Sequence, residues 1–300
     1  MTDTSTPNLR IATAADTSAC FDVFWASVTD LARRLGTPWE AQPAAVWARL
    51  QPTYEHLATH AAEWWIAEDA GSGAPIGYAR SIERGGLFEL SEFFVDPRRQ
   101  SGGVGAALLE RAFPAGRGEV RAIIATTDVR AQARYYGAGT AARFPIVSLE
   151  GAPRPVDLDP GLTVERAGTD QIGELSAIEA AVLEFDRSEE FRWLLDTREG
   201  YLYRRNGRPV GFAFINAHYV GPIAAHDPAD QPAILAHVES RGAELGADAI
   251  TFEVPMVNEV ATRHLLQRGF RMDPFYTFLM SNRPFGRFDR FIGFAPPFIL

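Results

Sequence analysis

The sequence predicts an α/β protein in which one fold with a mixed sheet occurs twice. Each half has the same order of elements: a strand, helices, several strands, a helix, a strand, a helix and final strands. Three segments of the first half recur in the second, namely 9–11 as 162–164, 76–79 as 210–213, and 128–139 as 258–269. Between the halves, residues 151–160 contain three prolines, which is typical of a linker. We therefore expect domains at 8–150 and 161–300, joined by 151–160.

The most distinctive pattern of the first half lies at the end of a predicted strand. An apolar stretch at 88–95 is followed by the turn Asp96-Pro97, by a glycine-rich segment at 100–105 and by a helical run at 106–110. A further apolar strand at 120–125 precedes the next helix. This order places the glycine-rich segment at the start of a helix.

A glycine-rich loop at the start of a helix is suited to bind a phosphate. Backbone N–H groups in the first helical turn have no partner within the helix, and the helix dipole adds positive potential there. A Cβ at Gly103 or Gly105 would hold the ligand away from the backbone. Two alternatives stay open. One is a nicotinamide-dinucleotide loop, although Leu108 stands where its third glycine is needed, and the other is a glycine turn without a ligand.

The loop resembles the donor-binding motif of the GNAT superfamily of N-acetyltransferases, Gln/Arg-x-x-Gly-x-Gly/Ala. Gln100, Gly103 and Gly105 match this motif at the family's spacing. In that family the loop holds the pyrophosphate of acetyl-CoA, so the resemblance implies acetyl-CoA as co-substrate and no metal. The residues that it implies at the donor site are Phe94, Val95, Gln100, Ser101, Gly102, Gly103, Val104, Gly105, Ala106, Asp128 and Ala131.

A second motif that is similar to the same family lies in the next predicted helix. Asp128, Ala131, Tyr135 and Gly139 parallel the pattern Asn-x-x-Ala-x-x-x-Tyr-x-x-x-Gly-Phe, with Asp in place of Asn and Thr140 in place of Phe. In the family this tyrosine lies beside the thioester sulfur and can protonate the departing thiolate. The resemblance therefore implies that Tyr135 is the general acid.

The resemblance covers essentially the whole chain and implies the GNAT fold twice, each copy a mixed, mostly antiparallel twisted sheet flanked by helices. It implies an acetyl-CoA-dependent N-acetyltransferase that acts on a small-molecule amine by direct transfer in a ternary complex. Two alternatives remain: a non-catalytic sensor that binds acyl-CoA, and an acyltransferase that uses a longer acyl-CoA.

Two glutamates on the strand before the loop are candidates for the general base. Strand alternation would place Glu89 and Glu92 on opposite faces, so they would not share one pocket. A carboxylate in a partly buried strand can have its pKa raised toward neutrality, which suits proton abstraction. In the family the splayed strand itself polarises the thioester carbonyl through a backbone N–H group. Tyr136 is expected to be a packing or surface residue, unless a one-residue register error exchanges it with Tyr135.

The second half lacks the residues of a donor site. No glycine occurs between Gly221 and Gly242, the segment in which the loop would fall, and Pro232 removes one N–H donor. Leu265 stands at the helix position that Tyr135 holds in the first half. We therefore expect the second domain to be structural or to form a wall of the acceptor pocket.

Composition and charge indicate which partners and which cellular compartment are expected. The 300 residues are 46% hydrophobic and 22% charged, and the formal net charge of −9 argues against nucleic acid. No apolar run reaches the ~18 residues of a membrane span, and residues 1–8 lack the pattern of a signal peptide. Cys20 is the sole cysteine, which predicts a cytoplasmic protein without an intrachain disulfide. We expect a monomer or a homodimer.

Two side-chain clusters in the first helical region carry weaker predictions. Trp25, Trp39 and Trp47 fall where the family shapes its acceptor site, so they are candidates for an aromatic wall, with core packing as the alternative. His56 and His60 have the spacing of one helix face, but the glutamate that a metalloprotease carries after its first histidine is missing. No metal is therefore expected.

Overall fold

A computed structural model of the chain describes residues 8–100 and 102–294. The chain divides into two compact units. The first unit comprises the described residues as far as 123 together with 128–140, and the second comprises 124–127 and the described residues from 141 onwards. Within the described ranges, no helix is both long and apolar enough to cross a membrane.

The first unit is built on one sheet with helices packed against it. Its elements are β1 (Asn8–Ile11), α1 (Thr17–Arg34), α2 (Pro43–His60), β2 (Glu63–Glu68), β3 (Pro75–Arg84), β4 (Leu87–Val95), α3 (Val104–Ala112), β5 (Val120–Thr126) and α4 (Val129–Gly137). Strands β1, β2, β3 and β4 are antiparallel neighbours in that order, and β5 runs parallel to β4. Because α3 connects β4 to β5, the glycine-rich segment lies at the end of β4.

The second unit contains two groups of hydrogen-bonded strands. Its elements are β6 (Ala141–Gly151), β7 (Thr163–Ala167), α5 (Ile172–Leu183), α6 (Ser188–Thr197), β8 (Glu199–Arg205), β9 (Arg208–Ile215), β10 (Val220–Ala225), α7 (Gln231–Glu244), β11 (Ile250–Pro255), α8 (Glu259–Gln267), β12 (Arg271–Ser281) and β13 (Phe291–Ile292). One group has the strand order β13-β10-β9-β8-β7, and in the other β6 lies between β11 and β12.

The predicted fold class is confirmed. The order strand, two helices, three strands, helix, strand, helix, strand occurs from β1 to β6 and again from β7 to β12. Antiparallel pairs predominate, as the sequence predicts. The domain bounds at 150 and 161 stay a prediction, since the compact units divide after residue 140. The reason for this difference is that β6 pairs with β11 and β12 of the second unit.

Helices cover both faces of β3 in the first unit. Arg80 Nη1 donates a hydrogen bond to Tyr54 O of α2, whereas the neighbouring Ser81 Oγ donates to Ala112 O of α3. Successive residues of a strand point to opposite faces, so α2 and α3 lie on opposite sides of the sheet. The side chains of β3 and β4 are therefore enclosed by two helical layers.

A β-bulge in β4 changes which side chains share a face. Arg80 of β3 pairs with Glu92, and the next residue, Ser81, pairs with Leu90, so Ser91 is an extra residue in β4. The prediction that Glu89 and Glu92 lie on opposite faces is wrong. Glu89 is opposite Ile82, which shares a face with Arg80, so both glutamates lie on the face that α2 covers. One inserted residue reverses the alternation of a strand.

Strands β4 and β5 separate soon after the bulge begins. Their parallel pairing extends only from Leu87↔Val120 to Leu90↔Ile123, although β4 continues to Val95. No pairing with β5 is present for the remaining residues of β4, all of which are described. Phe93, in this separated part, is partly exposed, whereas the paired part of β4 is buried. Residues 91–95 of β4 therefore have no strand partner on the β5 side, next to the glycine-rich segment, and this unpaired edge of β4 is called the cleft below.

Candidate active site

The glycine-rich loop is held at the end of β4 by hydrogen bonds to one carbonyl. Gln100 Nε2 donates to Val95 O over 3.1 Å, and Ser27 Oγ of α1 donates to the same oxygen over 3.0 Å. Gly103 precedes α3 with a φ of +83°, a left-handed conformation that favours glycine. No heavy atom lies within 4 Å of the position that a Cβ would take at Gly103. The loop is therefore fixed at its base and open at its tip.

The first turn of α3 leaves its N–H groups without a capping side chain in the described structure. Gly102 and Ala106 are exposed beside this turn, while Val104 and Gly105 are buried under it. Ser101, also predicted at the donor site, lies outside the described residues. The helix dipole adds positive potential at the same place, so the turn is suited to an anionic group.

Gly105 lies where three elements of the first unit meet. A Cβ at this position would come 3.2 Å from Phe93 Cζ of β4 and 3.5 Å from Arg134 Nε of α4. Arg134 is half-buried, and none of the described carboxylates forms an ion pair with it. Sequence reasoning missed Arg134, although its place one residue before Tyr135 in the α4 motif was a usable signal. Its guanidinium adds positive charge beside the first turn of α3.

Tyr135 is buried at the cleft, whereas Tyr136 is not. The Tyr135 ring is 6% exposed and lies edge-on to Phe93, with 6.0 Å between the ring centroids. Burial raises the pKa of Tyr135, so its hydroxyl stays protonated at neutral pH. In the described part of the chain no hydrogen-bond partner is present for this hydroxyl. Tyr136 is 53% exposed. The protonated hydroxyl of Tyr135 is therefore available as a proton donor.

Asp128 is the N-cap of α4. Its carboxylate accepts a hydrogen bond from Arg130 N over 2.9 Å, and it forms an ion pair with Arg34 of α1, also over 2.9 Å. Burial opposes ionisation here, but hydrogen bonds from Arg130 and Arg34 lower the pKa of Asp128. At the other end of α4, Thr140 Oγ1 donates to Tyr135 O over 2.8 Å. Asp128 and Thr140, the two residues that differ from the family pattern, thus form hydrogen bonds at the two ends of the helix that carries Tyr135.

Glu92 belongs to a buried ion pair. Arg80 Nε donates to Glu92 Oε2 over 2.6 Å, and the Tyr78 hydroxyl donates to Glu92 Oε1 over 2.8 Å. The side chains of Arg80 and Glu92 are both 0% exposed. Burial opposes the charge of Arg80, but the carboxylate of Glu92, together with Tyr78, Cys20 and Tyr54, raises the pKa of Arg80. Each oxygen of Glu92 therefore has a hydrogen-bond donor within the protein.

Glu89 lies deeper in the sheet than the cleft. It is 1% exposed, and β4 is paired on both edges at this residue, with Ile82 of β3 and Ala122 of β5. The structure places Glu89 and Glu92 on one face but gives them different surroundings. Glu92 faces Arg80, whereas Glu89 lies at the closed end of the cleft.

The predicted aromatic wall occurs as a cluster of rings in α1 and α2. Phe21 packs against Trp25 and Trp47, with centroid separations of 6.2 and 5.0 Å, and Trp25 packs against Trp39 at 5.9 Å. Trp39 is 47% exposed, so the cluster reaches the surface. Phe94 joins the interior side, where its ring contacts Phe24 and Tyr78. The side chain of Phe94 therefore packs against other rings, and its backbone borders the cleft.

Three further residues singled out in the sequence lie away from the cleft or at its margin. Ala131 is half-buried in the first turn of α4, on the helix that carries Tyr135. The rings of His56 and His60 are 4.3 Å apart. Over residues 8–100 and 102–294, no group of three or more His, Cys, Asp or Glu side chains is arranged to hold a metal ion.

In the second unit, the cleft between β10 and β11 is filled by the chain itself. Strand β13 pairs with β10 at Ile223↔Ile292, and Gly293 N donates to Glu253 O of β11 over 3.0 Å. Asn258 Nδ2, at the position of Asp128 in the first unit, donates to Phe291 O over 3.3 Å.

Gly221 permits this close approach of β13. Its φ is +96°, and a Cβ at this residue would clash with Gly293 O. Helix α7 has Pro232 in its first turn, which removes an N–H group. Over residues 141–294, the second unit therefore keeps the strand arrangement but has neither an open cleft nor a glycine-rich loop.

Comparisons with known proteins agree with this geometry. The family model described as an acetyltransferase (GNAT) domain matches residues 60–139, which span β2 to α4 and so include the loop and Tyr135. The search of curated proteins found no match.

Solved structures with the same fold span nearly the whole chain. A Pyrococcus horikoshii protein described as a candidate acetyltransferase is 15% identical, covers 95% of this chain and 92% of its own, and has a TM-score of 0.72. A GCN5-related N-acetyltransferase from Sphaerobacter thermophilus is 16% identical over 95% of this chain and 98% of its own, at a TM-score of 0.60. A tandem GNAT protein from the clavulanic acid biosynthesis pathway is 14% identical over 93% and 99%, at 0.61.

In the first unit, a helix start with a glycine-rich loop, the unpaired part of β4 and the buried Tyr135 thus lie within the segment that matches the GNAT domain model. Residues 60–139 are similar to the acetyltransferase (GNAT) domain, and the fold of the chain is that of solved GNAT proteins.

Proposed function

We propose that the first unit is an acetyl-CoA-dependent N-acetyltransferase that acts on a small-molecule amine. The observation that carries this proposal is the convergence of three features on one cleft. The open first turn of α3, the separated part of β4 and Tyr135 lie close together, because Phe93 of β4 is next to both Gly105 and the Tyr135 ring. Because Cys20 is the sole cysteine and is buried, we also infer a cytoplasmic protein without disulfides.

The donor is proposed to lie with its pyrophosphate on the loop from Gln100 to Gly105. The N–H groups of the first turn of α3 would bind the phosphate oxygens, and the guanidinium of Arg134 would add positive charge. The pantetheine arm would follow β4 from Val95 towards Leu90, in the place that a paired strand would otherwise take. The backbone of Phe94 would contact the arm there.

Transfer is proposed to be direct. The acceptor amine attacks the thioester carbonyl carbon, a C–N bond forms, and the C–S bond breaks. The departing thiolate receives the proton of the Tyr135 hydroxyl, and the ammonium proton passes to Glu89, directly or through water. We assign Glu92 a supporting role, because both of its oxygens are bonded to Arg80 and Tyr78.

The donor loop is tested by replacing Gly103 with valine. A β-branched residue is strained at a φ of +83°, and its side chain would occupy the open tip of the loop, so acetyl-CoA affinity should fall at least tenfold. Gly116 is a matched control, because it also has a φ of +83° and no atom within 4 Å of its Cβ position. Calorimetry should show normal affinity for Gly116→Val. Unchanged affinity in Gly103→Val would refute the loop assignment.

We propose that the second unit binds no donor. The filling of its cleft by β13 and the proline in the first turn of α7 support this view. The domain bounds at 150 and 161 remain part of the proposal, with β6 contributing strand pairs to the second unit. Its remaining function would be to support the first unit or to line the acceptor pocket.

A further inference from the structure

Ser91 is a buried polar residue at the point where the cleft begins. It is the extra residue of the β4 bulge and follows Leu90, the last residue of β4 that pairs with β5. Ser91 is 9% exposed, and its Oγ is buried without a hydrogen-bond partner among the described residues. The neighbouring strand offers a contrast, since Ser81 Oγ donates to Ala112 O over 2.6 Å.

An unpartnered buried hydroxyl is unfavourable, because it loses water without gaining another bond. Alanine would avoid this loss at the same size. Ser91 is the first residue of β4 beyond its pairing with β5, so a molecule that lies along this part of β4 could supply the partner of its hydroxyl. Such a molecule would have to present a hydrogen-bond acceptor at the closed end of the cleft.

We propose that the Ser91 hydroxyl donates a hydrogen bond to the acyl carbonyl oxygen of the donor thioester. This inference rests on the proposed donor site. A donor whose phosphates lie at the start of α3 runs along β4 from Val95 towards Leu90, and its acyl group is its far end. Ser91 is four residues from Val95, about 13 Å along an extended strand. The carbonyl oxygen is the acceptor that the acyl group presents there.

This bond strengthens as the reaction proceeds. When the amine adds to the carbonyl carbon, the oxygen gains negative charge and the Ser91 hydroxyl keeps its proton while stabilising that charge. The oxygen returns to a carbonyl when the C–S bond breaks, and Tyr135 protonates the thiolate. Ser91 forms no covalent bond at any step. It is thus assigned as an oxyanion donor in addition to the strand backbone.

The test compares two donors that differ at the carbonyl. Wild-type protein should bind acetyl-CoA more tightly than S-ethyl-CoA, a thioether without the carbonyl oxygen, by about three- to tenfold in calorimetry. Ser91→Ala should lose most of this preference, since only the backbone N–H then remains for the carbonyl, and should keep its affinity for S-ethyl-CoA. Ser91→Cys, which keeps the size but has a weaker donor, should show an intermediate preference.

Ser176→Ala is the matched control, because Ser176 Oγ is also buried without a described partner but lies in α5 of the second unit. Its preference should equal that of the wild type. A full preference in both Ser91 variants, or no preference in the wild type, would overturn the role of Ser91 and leave the donor site intact. If the wild type binds neither molecule, the proposed function itself fails.

Discussion

Replacing Tyr135 with phenylalanine is expected to lower turnover about a hundredfold or more while acetyl-CoA affinity stays unchanged. The hydroxyl is proposed to act on the sulfur only as negative charge develops there. Its loss should therefore affect the transition state and not ground-state binding. Because burial raises the pKa of Tyr135, the hydroxyl remains a proton donor throughout the neutral range.

The measurement is thiol release from acetyl-CoA in the presence of a panel of amines. Tyr136→Phe is the matched control, since Tyr136 is adjacent in α4 but 53% exposed, and its turnover should be nearly normal. Full activity in Tyr135→Phe would show that another group protonates the thiolate. Binding of acetyl-CoA without turnover on any amine would favour the non-catalytic sensor.

Replacing Arg80 with methionine is expected to reduce the free energy of unfolding by about 3–5 kcal/mol. The change removes the guanidinium that pairs with Glu92 and leaves a carboxylate that is 0% exposed without its ion-pair partner. It also removes the hydrogen bond to Tyr54 O that joins β3 to α2. The loss should appear as a lower urea midpoint in tryptophan fluorescence.

Two comparisons make this result specific. The double variant Arg80→Met with Glu92→Leu should be less destabilised than Arg80→Met alone, because no unpaired charge remains. Arg263 and Glu259 form an exposed pair in α8, with side chains 76% and 74% exposed, so Arg263→Met should change stability by less than about 1 kcal/mol. A loss of that small size in Arg80→Met would show that the buried pair does not hold β4.

Much of the fold could be predicted from the sequence because its signals are local. The repeated segments at 9–11, 76–79 and 128–139 predicted the duplicated order of elements, and the glycines at 103 and 105 predicted an open helix start. Each of these features depends on residues close together in the chain.

The features that were wrong or missed depend on residues far apart in the chain. The bulge at Ser91 arises from the register between β3 and β4, so alternation within β4 alone predicted the wrong faces for Glu89 and Glu92. The partner of Glu92 is Arg80, twelve residues away on another strand, and nothing in the local pattern indicated it. The pairing of β13 with β10 could not be predicted from the sequence pattern either, because a two-residue strand has no periodicity of its own.

The most direct test of the account is a calorimetric titration of the whole, metal-free chain with acetyl-CoA. One open cleft with a glycine-rich loop, together with a second cleft that β13 fills, predicts one molecule of acetyl-CoA bound per chain. Binding should require no added metal. A stoichiometry of two would contradict the closed second cleft, and the absence of binding would contradict the donor site on which the proposed activity depends.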